Sequence, residues 1–126
     1  TVYSMIRMTH QRRAILAVLE QAKRPLSPRE IHTESVADGG EISLTTVYRT
    51  LKAVLEAGRI VAVEFVGQPP RYELSGLGHH HHFLCESCDR LYDIPGCPGS
   101  FEGLAPTGFA VKRHDLLLLG QCASCA

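Results

Sequence analysis

The chain has 126 residues, enough for one small domain or two very small ones, and at 44% hydrophobic and 21% charged it falls within the range of globular proteins. That composition excludes a collagen-like repeat, a disordered tail and a membrane protein, because apolar runs such as Leu116-Leu117-Leu118-Leu119 fall far short of a bilayer span. Thirteen basic and thirteen acidic residues cancel overall, but residues 1–60 carry nine Lys/Arg against six Asp/Glu and residues 61–126 carry four against seven. A basic first half beside an acidic, histidine-rich second half suggests divided labour. Thr1 to Arg13 has no apolar segment of the secretory kind, so the cytoplasm is the expected compartment, and Thr1 in place of Met leaves room for sequence ahead of it.

In chain order, the first 66 residues read mostly as helices. Thr9 is a good N-cap for a first helix in which Ile15, Leu19 and Ala22 share a face. Lys23-Arg24-Pro25-Leu26 breaks it. Ser27, followed by Pro28 and Glu30, opens a second helix with the makings of a capping box, and Asp38-Gly39-Gly40 ends it. Ser43 caps a third, in which Leu44, Val47, Leu51, Val54 and Leu55 form an apolar stripe up to the stop at Gly58. The pattern then changes to strands: Ile60 to Val66, a turn at Gly67-Gln68-Pro69-Pro70, and a return at Arg71-Tyr72-Glu73-Leu74. Three short helices and a hairpin are the layout of a winged helix-turn-helix. Ser75-Gly76-Leu77-Gly78 follows as a linker. Beyond it, short strands are expected at His81–Leu84, Arg90–Ile94, Phe109–Arg113 and Leu116–Leu119, with a helical turn or two at Phe101–Ala105. A unit of this size needs an internal staple or a partner subunit.

On the third helix, Thr45, Tyr48, Arg49 and Lys52 recur at i, i+3, i+4 and i+7, away from the apolar stripe. Such a face suits a DNA groove: Arg reads guanine, Thr and Tyr meet a thymine methyl or a phosphate, and Lys neutralises the backbone. Arg7, Arg12 and Arg13 add cations for phosphates. An ordinary solvated face is the alternative, but the helix order, wing and basic bias favour double-stranded DNA, read by a dimer on an inverted repeat.

Cys85-x-x-Cys88 and Cys122-x-x-Cys125 offer four thiolates, the set for tetrahedral structural zinc, with 33 residues between the pairs. A catalytic dithiol is the rival reading, without a thioredoxin-like context to support it. Cys97 is left over and reads as a filler thiol, a redox or metal role being the alternative. His79-His80-His81-His82 stands directly before the first pair. In extended chain, His79 and His81 face one way and His80 and His82 the other, enough for two metal sites or for one site and a surface. Glu73, Asp93, Glu102 and His114 are further ligands within reach. Mixed imidazole and carboxylate donors suit exchangeable iron(II), manganese or zinc.

These residues resemble the ferric uptake regulator (Fur) family of metal-responsive bacterial repressors over almost the whole chain. The resemblance rests on Thr9-x-x-Arg12, Thr46-Val47-Tyr48-Arg49-x-Leu51, Tyr72-Glu73-Leu74, His79-His80-His81-His82-Phe83-Leu84-Cys85-x-x-Cys88, Gly108-Phe109 leading to His114, and Gly120-Gln121-Cys122-x-x-Cys125. It implies an α+β chain: a winged helix over residues 1–74, a hinge at 75–78 and a small α/β metal-binding dimerisation domain at 79–126. Arg12, Thr45, Thr46, Tyr48, Arg49 and Lys52 would form the DNA face, with Tyr48 and Arg49 the main readers. Cys85, Cys88, Cys122 and Cys125 would hold structural zinc. Glu73, His80, His82 and Asp93 would form a hinge-side sensing site, and His79, His81, Glu102 and His114 a second site. The chain departs from the family in carrying Arg24-Pro25-Leu26 where relatives commonly place a hinge-site His, with His32 one turn into the second helix as a candidate substitute. It also has a short helix after Pro98, and His81 where many relatives have Asp.

The expected function is a metal-dependent repressor acting as a homodimer on operator DNA. Its regulatory ion would be iron(II) before manganese or zinc, and its signal iron or peroxide, with zinc third because the regulatory set shows no cysteine. No enzyme, membrane or small-molecule substrate is expected, for lack of a nucleophile–base pair or a phosphate loop. A constitutive DNA binder with purely structural zinc and a metal-storage or thiol-redox protein are the alternatives.

Overall fold

A computed structural model describes residues 1–126, the side chain of Ser4 apart, as two compact units, Thr1–Leu77 and Gly78–Ala126. The first holds helices α1 (Val2–Ala22), α2 (Pro28–Ala37) and α3 (Leu44–Glu56) and strands β1 (Ile60–Val63) and β2 (Arg71–Leu74). The second holds strands β3 (His81–Cys85), β4 (Leu91–Ile94) and β5 (Leu117–Gly120), with a single 3-10 turn at Glu102–Leu104.

Helix α1 starts seven residues before the expected cap. Thr9 lies inside it and its hydroxyl donates back to the Met5 carbonyl at 3.0 Å, the satisfaction open to a mid-helix threonine. The other helix ends follow local chemistry. Ser27 accepts from the Glu30 N–H and Glu30 from the Ser27 N–H, completing the capping box, with Pro28 at the first helical position. Ser43 accepts from the Thr46 N–H at the start of α3. Gly58 takes the left-handed backbone at φ 74° that ends the helix without a Cβ clash.

One core joins the three helices: Ile15, Val18 and Leu19 from α1, Leu26 and Ile31, Val47, Leu51 and Val54 from α3, and Ile60 from the wing. The expected stripe on α3 is buried at Val47, Leu51 and Val54 and differs at its margins. Thr50 is buried, whereas Leu55 is 39% exposed, because the stripe drifts round the helix and the last turn passes the edge of the core. The wing is an antiparallel hairpin pairing Ile60 with Leu74 and Val63 with Arg71. Leu26 adds a short third edge, exchanging hydrogen bonds of 2.9 and 2.8 Å with Tyr72. The segment that breaks α1 from α2 thus satisfies its backbone on the wing.

In the second unit the strand order is β4-β3-β5, with β3 central, antiparallel to β4 and parallel to β5. The strand expected at Phe109–Arg113 does not form. Gly108, at φ 85°, turns the chain, Phe109 is 72% exposed, and the segment has no neighbouring strand with which to pair. Parallel pairing of β3 with β5 requires a long connection, and residues 95–116 supply it with turns rather than a helix.

Truncating Leu51 to Ala is expected to cost the first unit about 2–5 kcal/mol by cavity formation, against about 1 kcal/mol for Ser27→Ala at the cap. Urea denaturation followed by helical circular dichroism checks the order; equal losses would mean that Leu51 is not a core anchor.

Candidate metal centres and nucleic-acid interface

The four cysteines meet because of the parallel pair. Leu84 lies beside Leu119 and Cys85 beside Gly120, which sets the Cys122-x-x-Cys125 turn next to the Cys85-x-x-Cys88 turn. A left-handed Asp89, at φ 61°, closes the first turn, and Gln121 Nε2 donates to Ser87 Oγ at 3.2 Å across the two. All four sulfurs lie within 4.8 Å of one another, with Cys88 and Cys122 at 3.9 Å. Sulfurs around tetrahedral zinc stand about 3.8 Å apart, given bonds of about 2.3 Å, so the set fits that ion.

The protons on these sulfurs are unequally held. The Cys85 thiol is pulled down to about 6, chiefly by the Cys122 N–H that points at it from 3.3 Å, with help from the Cys88 and Ser87 backbone. Cys122 is lowered by its hydrogen bond with Tyr92, which is itself raised in return. Cys125 is pushed up to about 12 by its hydrogen bonds with Cys122 and Cys85. Four thiolates this close cannot all be charged without a cation; a dication displaces the remaining protons. Tyr92 is a supporting residue that sequence reasoning missed, since a lone aromatic on a strand carries no ligand signal.

His81 and His82 open β3 and belong to different clusters, and His79 and His80, just ahead of the strand, join them alternately. His82 lies directly opposite Asp93 in the β3–β4 register, and Asp93 Oδ1 is 3.3 Å from both His80 Nε2 and His82 Nε2. Ligand atoms around a small divalent ion with bonds of about 2.0–2.1 Å stand about 3.3 Å apart, so these three atoms face a common point. His80 Nδ1–H donates to the Gly78 carbonyl at 2.9 Å, which leaves its Nε2 lone pair for a metal. Glu73 is buried on β2 of the first unit.

On the other face, His79, His81 and His114 come together with Cys97, their ligand atoms within 4.8 Å of one another. His114 Nε2 is 3.1 Å from His79 Nε2 and 3.0 Å from Cys97 Sγ. His81 is 2% exposed and held toward its neutral form by burial and by the neighbouring His79 and His114. Here the structure departs from expectation. Glu102 sits exposed on the 3-10 turn outside this cluster, and Cys97, read as a filler thiol, stands inside it. The cause is the turn at Gly96 and Gly99, with φ of 82° and 134°, which folds the loop after β4 back toward His114.

In the first unit, Thr45, Tyr48, Arg49 and Lys52 are exposed on α3, opposite its buried Val47, Leu51 and Val54. Thr46 and Arg12 are half-buried. Thr46 Oγ1 accepts from Ser43 at 3.0 Å, so this threonine is engaged in the cap. Arg24, where the resemblance would set a histidine, pairs with Glu30 at 2.9 Å, and His32 is half-buried on α2 outside every ligand cluster among the described residues.

A winged helix followed by a small sheet with a four-cysteine cluster and histidine-rich clusters defines a metal-responsive DNA-binding protein. The ferric uptake regulator family model matches residues 4–118. The chain is 36% identical over 125 residues to the ferric uptake regulation protein of Synechococcus elongatus, covering 94% of this chain and 85% of that protein. It superposes on a zinc-bound manganese uptake regulator with TM-score 0.76 at 31% identity, covering 89% of this chain and 87% of the other. With the Vibrio cholerae ferric uptake regulator the TM-score is 0.68 at 30% identity, over 89% and 88%. The chain belongs to the ferric uptake regulator family. It is accordingly a metal-sensing transcriptional repressor acting through DNA as a homodimer, and not an enzyme. No helix among the described residues is long and apolar enough to cross a membrane.

Replacing Cys122 by Ser is expected to strip backbone amide protection from β3 and β5 in hydrogen exchange while leaving α3 unchanged. Protons and zinc compete for the same sulfurs, so zinc retention should weaken as pH falls; a metal-release titration showing the reverse would remove zinc as the ion held there.

Proposed function

We propose that this repressor reads DNA with α3 and is switched by a divalent ion held at His80, His82 and Asp93. The observation that carries the switch is the convergence of two imidazole nitrogens on Asp93 Oδ1, each at 3.3 Å. Two nitrogens with carboxylate oxygen form a borderline-hard donor set, suited to exchangeable iron(II) before manganese or zinc. Bound there, the ion supplies positive charge and fixed ligand directions. The chain's own residues do the rest: His80 is oriented by its Gly78 hydrogen bond and His82 by its register opposite Asp93. Cys85, Cys88, Cys122 and Cys125 hold a structural zinc that does not exchange on the signalling timescale. Whether iron itself or peroxide acting on the iron-loaded site is the signal turns on oxidation of a ligand histidine.

In the functional division we infer, residues 1–74 read DNA, 75–78 form the hinge and 79–126 bind metal and dimerise. Leu118 and Leu119 support the last role, being 45% and 59% exposed on β5, an edge of its sheet. The exposed Tyr48 and Arg49 are the base readers, flanked by Thr45 and Lys52, with Thr46 and Arg12 completing the face. The ion favours the DNA-competent arrangement by its difference in affinity for the two states and by no more than that. Membership of this family also places the protein in the cytoplasm.

The test uses a duplex enriched from a random-sequence library by the metal-loaded protein. Arg49→Ala is expected to weaken binding by about 1–3 kcal/mol, the scale of one bidentate base contact, with unchanged thermal stability. Asp93→Ala should make binding indifferent to iron(II) while one zinc per chain remains. Apo-protein binding this duplex as tightly as loaded protein would overturn the switch, and mass spectrometry of iron-loaded protein after peroxide, searched for an oxidised histidine, separates the two signals.

A further inference from the structure

We infer that Cys97, and not Glu102, completes the second site that the family resemblance implies at His79, His81 and His114, so that the site takes zinc through three imidazoles and one thiolate. The inference deepens the metal-sensing reading, and depends on it only for the site's regulatory use. The geometry stands by itself: Cys97 Sγ and His79 Nε2 approach His114 Nε2 to 3.0 and 3.1 Å, and all four ligand atoms lie within 4.8 Å. An independent observation is His81, 98% buried with its Nε2 lacking any hydrogen-bond partner. A buried ring nitrogen without a partner is costly unless a ligand completes it. His81 Nδ1 accepts only a long contact, 3.3 Å, from the Leu116 N–H. Ligation through Nε2 moves the ring proton to Nδ1 and exchanges that contact for a metal bond.

The loop is built to present the thiol. Gly96 and Gly99 take left-handed backbone on either side of Cys97, and the thiol donates to the Gly99 carbonyl at 3.3 Å. Phe101 then stacks edge-on against His114, ring centres 4.7 Å apart, and holds the imidazole in place. Glu102 starts the 3-10 turn, exposed and outside the cluster.

Donor chemistry selects the ion. One thiolate with three neutral imidazoles is a tetrahedral, borderline-soft set, which favours zinc over manganese and over iron(II), whose oxygen-rich preference is met at Asp93 instead. As the Zn–S bond forms, the Cys97 S–H bond breaks and its proton leaves to solvent. The two faces of β3 therefore offer two ions two different environments.

The test uses full-length protein with one zinc per chain in the four-cysteine site, verified by native mass spectrometry, and cobalt(II) as the probe. Wild type is expected to develop a near-ultraviolet thiolate-to-cobalt charge-transfer band with tetrahedral visible bands as the second ion binds. Cys97→Ser should lose the charge-transfer band, keep its first zinc and bind the second zinc at least about tenfold more weakly, since even the hydrogen-bond partners of metal ligands change affinity by about 10–100-fold. His79→Ala, also at an exposed position, should weaken the second zinc likewise, and Glu102→Ala should change neither spectrum nor affinity. A wild-type spectrum without the thiolate band, or Cys97→Ser holding the second zinc as tightly as wild type, would overturn the site. If the Cys97-dependent band appears but binding to the enriched duplex ignores zinc, the site stands and its regulatory use falls.

Discussion

Parallel pairing of β3 with β5, which sets Cys85 beside Gly120, brings the end of the chain against its own first cysteine turn. No local interaction could do this, because 33 residues separate Cys88 from Cys122. A small sheet with one parallel pair is weak alone: its edges are open, and it has few residues to bury beyond Leu84 and Leu91. The four sulfurs lie across that pairing, so an ion there clamps β3 to β5 directly. The close approach also needs Gly120, where a Cβ would meet the Phe83 ring at 3.1 Å. A metal ion held by the four cysteines would in this sense be the core of the second unit, and would pin the far end of the strand that carries His81 and His82.

Once β3 is fixed, its two-residue period does the rest. Successive residues of an extended strand face opposite ways, which separates His81 from His82, and His79 and His80 ahead of the strand continue the alternation. The partners then differ by topology. Antiparallel β4 supplies Asp93 to one face, and the crossover between β4 and β5 supplies Cys97 and His114 to the other. A carboxylate set and a thiolate set arise from a single strand because its two faces look toward different parts of the chain.

What could be read from the sequence follows the range of the interactions involved. Ser27 with Glu30, Ser43 and Gly58 act within four residues, and those boundaries stand where local chemistry sets them, whereas the strand expected over Ile60 to Val66 ends at Val63. The division of His79 to His82 was legible for the same reason, since it needs only an extended backbone. Thr9 misled because a hydroxyl that can cap a helix can equally bond backward within one. Phe109–Arg113 has strand-like residues, but strand formation needs a neighbour, and sheet order is not local. Cys97 was the largest loss. Its spacing matches no ligand motif, and only the turn at Gly96 and Gly99 folds it onto His114.

The two proposed metal clusters are not mechanically separate, because the adjacent residues His81 and His82 of β3 belong one to each. An ion at His79 and His81 orders the same backbone that carries His80 and His82, so ordering supplied by the first need not be supplied again by the second. Shared ordering of this kind gives positive coupling even without a change of shape. The coupling is reciprocal by thermodynamic necessity: if a zinc held through Cys97 raises the affinity of the carboxylate site, an ion there raises zinc affinity by the same factor. On the two-site proposal, ions bound to the two faces of this segment would be weighed together, and Cys97 would fix which supply the second face reports.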